Sequence, residues 1–199
     1  MKKALILGCS HAAGSEMGTD KYGRANSYPV LLAERMGYTA HNGAIAGGSN
    51  DAIFRIFEAE YKNYNIIIAC WSGYNRTEVW HDNAWIPFVP GGNAVDLDLD
   101  KYFQQWILHQ TDAVTGRLNK IKNILALNAI AQAHNVTVIN IDSFWPVTNI
   151  VWPSGIHWPV LINFWDWANA QGFNCTAWGH FQKDAHSAFA DYILENIAN

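Results

Sequence analysis

Continuous apolar stretches separated by segments with helical spacing set the predicted architecture. Three stretches are apolar without alternation, which is typical of central parallel strands covered on both faces. They are residues 3–8 (KALILG), 65–72 (NIIIACWS) and 135–142 (NVTVINID). Three segments between and after them have apolar residues at helical spacing: 27–37, 50–61 and 184–197. The alternation predicts an α/β fold with a mainly parallel sheet.

The remaining segments are less regular. A short strand and a Gly-rich loop are predicted for residues 38–49, and a long helix for about 101–134. The apolar face of that helix is predicted from the spacing of Val114, Leu118, Ile121 and Leu125. Residues at about 80–100 and 143–179 are rich in Pro, Gly or aromatic side chains and are predicted as loop insertions in a single domain, 1–199.

Composition and charge exclude several classes of function. The chain has 199 residues and a net charge of -4 without a basic run, which argues against nucleic-acid binding. Three widely spaced cysteines give neither a disulfide framework nor a metal-binding pair. The apolar part after Lys2 and Lys3 is too short for a signal peptide, and no run is long enough for a membrane span. The expectation is a protein without a membrane partner that is cytoplasmic as synthesised.

Three of the predicted strands are followed by loops that carry candidate functional residues. Ser10, Gly47 and Asn75 lie where ligands bind in open α/β sheets, outside the carboxyl ends of the strands. Ser10 in LILGCSHAAG has two readings, a helix N-cap and a nucleophile. The segment lacks the Lys of a phosphate-binding loop and the glycines of a dinucleotide-binding turn. Gly47 and Asn75 are able to supply oxyanion donors or to serve as ordinary turn residues.

A late Asp-x-His pair supplies a candidate base. A serine hydroxyl becomes a good nucleophile when an imidazole accepts its proton and a carboxylate orients the imidazole. His186 and Asp184 are able to do this if they form a loop before the last helix. The alternative is an ordinary helix start in which Asp184 interacts with the helix dipole. His11 is a further candidate base beside Ser10, and the other histidines show no zinc-binding spacing.

The order of these motifs resembles the SGNH (GDSL-type) hydrolase superfamily. The segments ILGCSHAAG, NGAIAGGS, SGYN and DAH are similar to four of its conserved blocks. Three positions depart from the family pattern: Cys9, Arg76 and Lys183 each stand where most members have Asp. Because the family Asp is usually three residues before the His, two arrangements stay open: Asp184 orients His186, or Ser10 and His186 act as a dyad.

The resemblance implies a fold and a reaction. It implies a three-layer α/β/α sandwich and ester hydrolysis through an acyl-enzyme on Ser10, with no metal or organic cofactor. His186 would be the base and Asp184 its orienting carboxylate. The backbone of Ser10 and Gly47 and the amide of Asn75 would form the oxyanion hole.

The aromatic residues have two interpretations. They fill the core or an oligomer contact, or they form a substrate-binding wall, because indole faces stack on sugar rings or cover acyl groups. In the second interpretation, Trp80, Trp85 and Trp178 are candidate substrate-binding residues. The preferred interpretation is a carbohydrate O-acyl (acetyl) esterase with a small-molecule or glycan ester as substrate. The alternative is a glycan-binding or structural protein, including a virion-associated one, on a non-catalytic scaffold of this type.

Overall fold

A five-stranded parallel sheet forms the centre of the molecule. The computed structural model describes residues 2–15, 17, 23–89, 113–144, 162–177 and 179–197. Within them the sheet has the order β2-β1-β3-β6-β7, and every pair of neighbouring strands is parallel. Its strands are β1 (Lys3–Gly8), β2 (Thr39–Asn42), β3 (Ile66–Trp71), β6 (Thr137–Asp142) and β7 (Ile162–Asn163). An antiparallel hairpin, β4 (Thr77–His81) and β5 (Ala84–Phe88), follows β3.

Helices cover both faces of the sheet. They are α1 (Ser10–Ala13), α2 (Tyr28–Arg35), α3 (Asn50–Glu60), α4 (Ala113–Ala133), α5 (Phe164–Ala170) and α6 (Lys183–Ile197). Among the described segments, no helix combines the length and the apolar character needed to cross a bilayer.

The sheet separates two hydrophobic cores. Side chains from one face of β1 and β3 pack with those of α2, α5 and α6, and side chains from the other face pack with α3 and α4. Every residue of β3 is buried, because a central parallel strand has neighbours on both faces. The result is the three-layer α/β/α sandwich that the sequence predicted.

The described part of the long helix confirms the predicted apolar face only in part. Ile121 is buried and Leu125 is half-buried, whereas Val114 and Leu118 are exposed and Lys120 is fully buried. The Lys120 ammonium donates two 2.8 Å hydrogen bonds to the carboxylate of Asp142 at the end of β6. A polar contact therefore brings a charged residue into the buried face, which apolar spacing alone does not predict.

The first predicted insertion contains regular structure. Residues 77–88 form the β4–β5 hairpin, with Trp80 paired to Trp85, instead of the loop predicted from residue 80 onwards. The turn uses Asp82 and Asn83 at positive φ, which these residue types tolerate and which suits a two-residue hairpin turn. Residues 90–112 and 145–161, which include much of the two predicted insertions and the start of the predicted long helix, lie outside the described residues.

Candidate active site

The strand order creates a crevice at one point of the sheet edge. The chain leaves β1 toward β2 on one side and then returns to β3 on the other, so the connections diverge between β1 and β3. In open α/β sheets, ligands bind at this divergence, outside the carboxyl ends of the strands. Gly8 at the end of β1 is paired with Cys70 near the end of β3. Residues that directly follow these two strands therefore border the same crevice.

Ser10 lies at this point, as the first residue of α1. Cys9 is the extended N-cap residue, and its carbonyl accepts a 2.8 Å hydrogen bond from the backbone of Ala13. Ser10 is 6% exposed, and its hydroxyl makes no hydrogen bond within the described part of the chain. The Ser10 side chain is thus not the helix cap. Its backbone N–H belongs to the first turn, where amides have no partner within the helix.

Backbone hydrogen bonds hold the loop after β2 beside the end of β1. The amides of Gly43 and Ile45 donate to the carbonyls of Ile6 and Gly8, at 2.9 and 3.0 Å, and so prolong the parallel pairing. This pairing brings Gly47 to the β1 edge of the crevice. Gly47 has φ +77°, and a Cβ added there would lie 3.2 Å from Val89 Cγ2. Both its backbone conformation and its surroundings therefore favour glycine.

Asn50 fixes the loop that carries Asn75. Its side chain accepts a 2.8 Å hydrogen bond from the backbone of Ser72 and donates 3.3 Å bonds to the carbonyls of Ser72 and Gly73. Asn50 is itself fixed at the start of α3, after the N-cap Ser49. The side-chain amide of Asn75 makes no hydrogen bond within the described residues and remains available to a ligand.

His186 lies inside α6 rather than in a loop before it. The helix begins at Lys183, and His186 belongs to its buried face together with Phe189, Ala190 and Ile193. Its Nδ1 accepts a 3.0 Å hydrogen bond from the backbone N–H of Tyr28. Burial lowers the pKa of His186 to about 3, with a further lowering from its electrostatic interaction with His180, although the backbone of Phe181 partly opposes this shift.

Asp184 does not orient His186 in this structure. It is exposed in the first turn of α6, and its Oδ1 accepts a 2.9 Å hydrogen bond from the backbone of Ala185. Because Nδ1 of His186 accepts a hydrogen bond from the backbone N–H of Tyr28, it carries no proton to donate to a carboxylate. The hydrogen bond that the resemblance implied between these two side chains is therefore absent, since both residues belong to the helix and point in different directions.

His180 is a histidine that the sequence reasoning did not place at this site. Its half-buried ring lies 5.1 Å from the ring of His11, the neighbour of Ser10, by centroids. A closed loop before α6 holds it: Thr176 N donates to the His180 carbonyl at 2.8 Å, and His180 N donates to Thr176 Oγ1 at 3.2 Å. One sequence signal was available: His180 lies just before a segment with helical spacing, and His186 belongs to the apolar face of that segment.

His11 is buried in a cluster of aromatic rings beside Ser10. The rings around it belong to Phe144, Phe164, Trp165, His180, Phe181 and His186. Burial lowers the pKa of His11 well below its usual value, and electrostatic interactions with His186, His180 and Arg76 lower it further. The ring is therefore neutral at pH 7. No group of three or more His, Cys, Asp or Glu side chains in the described ranges is arranged to hold a metal ion.

Two of the three predicted substrate-binding tryptophans lie on the β4–β5 hairpin. Trp80 is 57% exposed and Trp85 is 43% exposed, and their rings meet edge-to-face at 5.4 Å. The Arg55 guanidinium covers the Trp85 ring at 4.9 Å and donates two 2.8 Å hydrogen bonds to Glu78. The hairpin is thereby fixed to α3. Trp178 lies outside the described residues.

Comparisons with known proteins agree with this architecture. The chain is similar to the psychrotrophic esterase EstA from Pseudoalteromonas sp., with a TM-score of 0.56 and 16% identity. This similarity covers 100% of the present chain and 97% of the esterase. It is also similar, over 99% of its length, to 65% of a carbohydrate esterase family 2 enzyme with a carbohydrate-binding domain from Corynascus thermopiles (TM-score 0.57, 11% identity). A putative acylhydrolase from Bacteroides fragilis matches over 99% of this chain and 86% of its own (TM-score 0.50, 12% identity).

The chain has the SGNH-hydrolase fold. At these identities the likeness concerns the fold, and the chain spans about two thirds of the length of the Corynascus enzyme. No protein-family model matches the sequence, and no curated protein is significantly similar to it.

Proposed function

We propose that this protein is a serine ester hydrolase that acts through an acyl-enzyme on Ser10. The observation that carries the proposal is the position of Ser10 at the diverging point of the sheet, with Gly47 and Asn75 on the two adjoining loops. Hydrogen bonds to the backbone of β1 and the side chain of Asn50 hold these loops. The esterase fold of the neighbours supports the same reaction class.

The proposed oxyanion hole follows from the donors at this edge. The backbone N–H groups of Ser10 and Gly47 and the side-chain amide of Asn75 would donate to the carbonyl oxygen as it becomes negative. Donors fixed before the reaction stabilise this charge by about 3 kcal/mol each. Gly47 and Asn75 both lie in loops that hydrogen bonds hold in place, which is the preorganisation that such donors require.

We assign the role of base to His180 in place of His186. A base for Ser10 needs an unprotonated nitrogen facing the hydroxyl and a proton on the other nitrogen. In His186 the Nδ1 is the acceptor, so its proton is on Nε2, and its burial leaves it a very weak base. His180 lies in a loop that reaches the ring of His11 next to Ser10. Hydrogen bonds between base and nucleophile are often formed only in the substrate complex.

The chemical steps then follow. His180 accepts the Ser10 proton as Oγ attacks the ester carbonyl, and the tetrahedral intermediate is held by the three donors. It collapses as the C–O bond to the alcohol breaks and His180 returns the proton to the leaving oxygen. His180 next removes a proton from water, and the water oxygen attacks the acyl-enzyme carbonyl. The C–O bond to Ser10 then breaks, His180 returns the proton to Oγ, and the carboxylic acid leaves.

The proposed substrate is an O-acetylated carbohydrate. Trp80 and Trp85 are exposed on a hairpin that directly follows the Asn75 loop, and Val89 at its end lies against Gly47. Exposed indole rings are suited to stack on sugar rings. The same pair would equally serve a glycan-binding protein with an inactive Ser10, which is the second candidate function.

Turnover of 4-nitrophenyl acetate by matched variants separates these proposals. Ser10→Ala is expected to lower kcat/KM by at least about 10³-fold. His180→Asn is expected to lower kcat by about 10²–10⁴-fold, the usual contribution of a general base. His186→Asn, the same change at the neighbouring ring, is expected to retain turnover while lowering stability.

The opposite results would select the alternatives. Loss of turnover in folded His186→Asn, with His180→Asn active, would return the role of base to His186. Equal rates in wild type and Ser10→Ala would remove the esterase proposal. Binding of an acetylated glycan that is unchanged by Ser10→Ala would then favour the glycan-binding protein.

A further inference from the structure

Within the described residues, the Arg76 guanidinium has no carboxylate partner. Arg76 directly follows Asn75, and its Nη1 is buried without a hydrogen-bond partner within the described residues. By contrast, Arg35 and Arg55 are paired with Asp191 and Glu78. A buried donor of a charged group that remains unpaired costs free energy, so its presence needs a physical reason.

The surroundings of Arg76 fix its orientation. Its Cζ lies 4.7 Å from the centroid of the Phe144 ring, so the aromatic ring covers one face of the guanidinium. Stacking of this kind leaves the N–H groups at the edge of the plane, where they bind carboxylates in a bidentate manner. The Phe144 ring thus orients the guanidinium, and the buried Nη1 at its edge has no partner in the described residues.

His11 gives an independent indication of a ligand. It is 1% exposed, yet neither ring nitrogen has a hydrogen-bond partner in the described part of the chain. Its ring also contacts Phe144, at 4.5 Å between centroids. Among the groups whose electrostatic interaction lowers the pKa of His11, Arg76 is the permanent cation, and no carboxylate is among them. The region beside Ser10 thus combines a cation with ring nitrogens that have no partner in the described residues.

We infer that Arg76, with His11 beside it, forms a binding site for a carboxylate next to Ser10. The guanidinium edge would bind the two carboxylate oxygens, and His11 would donate through one ring nitrogen. Asp142, the buried carboxylate nearest in the chain to Phe144, is already bound by Lys120 and cannot neutralise Arg76. The source of the carboxylate rests on the proposed function: it is either the acid that ester hydrolysis releases or an acidic group of the substrate.

Acetate and acetamide test the site without relying on turnover. They have the same shape and differ in charge, so a carboxylate site binds acetate only. In Ser10→Ala protein at constant ionic strength, we expect acetate to change tryptophan fluorescence saturably and to raise the melting temperature, and acetamide to do neither. Adding Arg76→Gln is expected to weaken acetate binding at least about tenfold, and adding Arg76→Lys to restore part of it.

Arg117→Gln is the matched control. Arg117 also lies over an aromatic ring, that of Tyr74, at 5.3 Å, and its Nε is likewise buried without a partner in the described residues. It does not affect the pKa of His11, so acetate binding should survive its replacement. Acetate binding that is equal to acetamide binding, or unchanged by Arg76→Gln in a variant with native circular dichroism, would overturn the inference.

Two kinetic comparisons distinguish the sources. If the substrate carries the carboxylate, wild type should prefer mono-4-nitrophenyl succinate over 4-nitrophenyl acetate, and Arg76→Gln should lose that preference. If the site holds the released acid, acetate should inhibit competitively, and Arg76→Gln should raise its inhibition constant. Absence of any turnover would refute the proposed function and leave the binding result in Ser10→Ala standing.

Discussion

The buried, neutral state of His186 predicts how the stability of the protein depends on pH. The pKa of this ring is about 3 in the folded chain, against 6.5 for an ordinary histidine. Between these values the unfolded chain binds a proton that the folded chain does not bind. The free energy of unfolding therefore rises with pH, and the contribution of His186 is lost as the pH falls below about 6.5.

The size of the effect follows from the same two values. Integrating this single proton linkage from pH 7 to pH 5 gives a loss of about 2 kcal/mol. His186→Asn keeps an acceptor for the Tyr28 amide and removes the titrating ring. The variant should be less stable than wild type at pH 7, and the difference should shrink by about 2 kcal/mol at pH 5.

Urea unfolding followed by circular dichroism measures this directly. Wild type and His186→Asn are compared at pH 7, 6 and 5, with unchanged m-values as the check that the transition remains comparable. Other titrating groups contribute equally to both proteins and cancel in the difference. Parallel pH dependences of the two proteins would refute the argument that His186 is neutral and buried.

Three further substitutions test other parts of the account. Lys120→Met leaves the buried carboxylate of Asp142 unpaired and should lower the free energy of unfolding by about 3–5 kcal/mol, measured by urea unfolding; a near-neutral result would mean that the pair is solvated. Gly47→Ala forces a side chain at positive φ against Val89 and should lower kcat for 4-nitrophenyl acetate more than it raises KM; an unchanged kcat would remove Gly47 from the oxyanion hole. Trp80→Ala should raise KM for an acetylated xylo-oligosaccharide and leave 4-nitrophenyl acetate turnover unchanged; equal effects on both would refute a sugar-stacking role.

The three long central strands, β1, β3 and β6, were the most predictable part of the fold. Continuous apolar runs such as the one that forms β3 follow directly from burial on both faces, and the predicted bounds differ from the observed ones by a residue or two at most. The buried face of α4 was only partly predictable from apolar spacing, because Lys120 enters the core to meet Asp142, which lies on a different element. Such pairing is a tertiary contact and leaves no periodic signal.

The candidate site was predictable where it depended on strand ends. Ser10 and Gly47 follow strands that pair side by side, and a parallel sheet places such residues at one edge. The positions of His180 and His186 were less predictable, because they depend on where the last helix begins. That helix starts at Lys183, which places His186 in the core and leaves His180 in the preceding loop.

Covalent labelling tests the central proposal most directly. A fluorophosphonate reacts with an activated serine, and intact-mass analysis followed by peptide mapping locates the adduct. The account predicts one adduct per chain in the wild type, on the peptide that contains Ser10, and none in Ser10→Ala. A label on another residue, or undiminished labelling of Ser10→Ala, would contradict the assignment of Ser10 as the nucleophile.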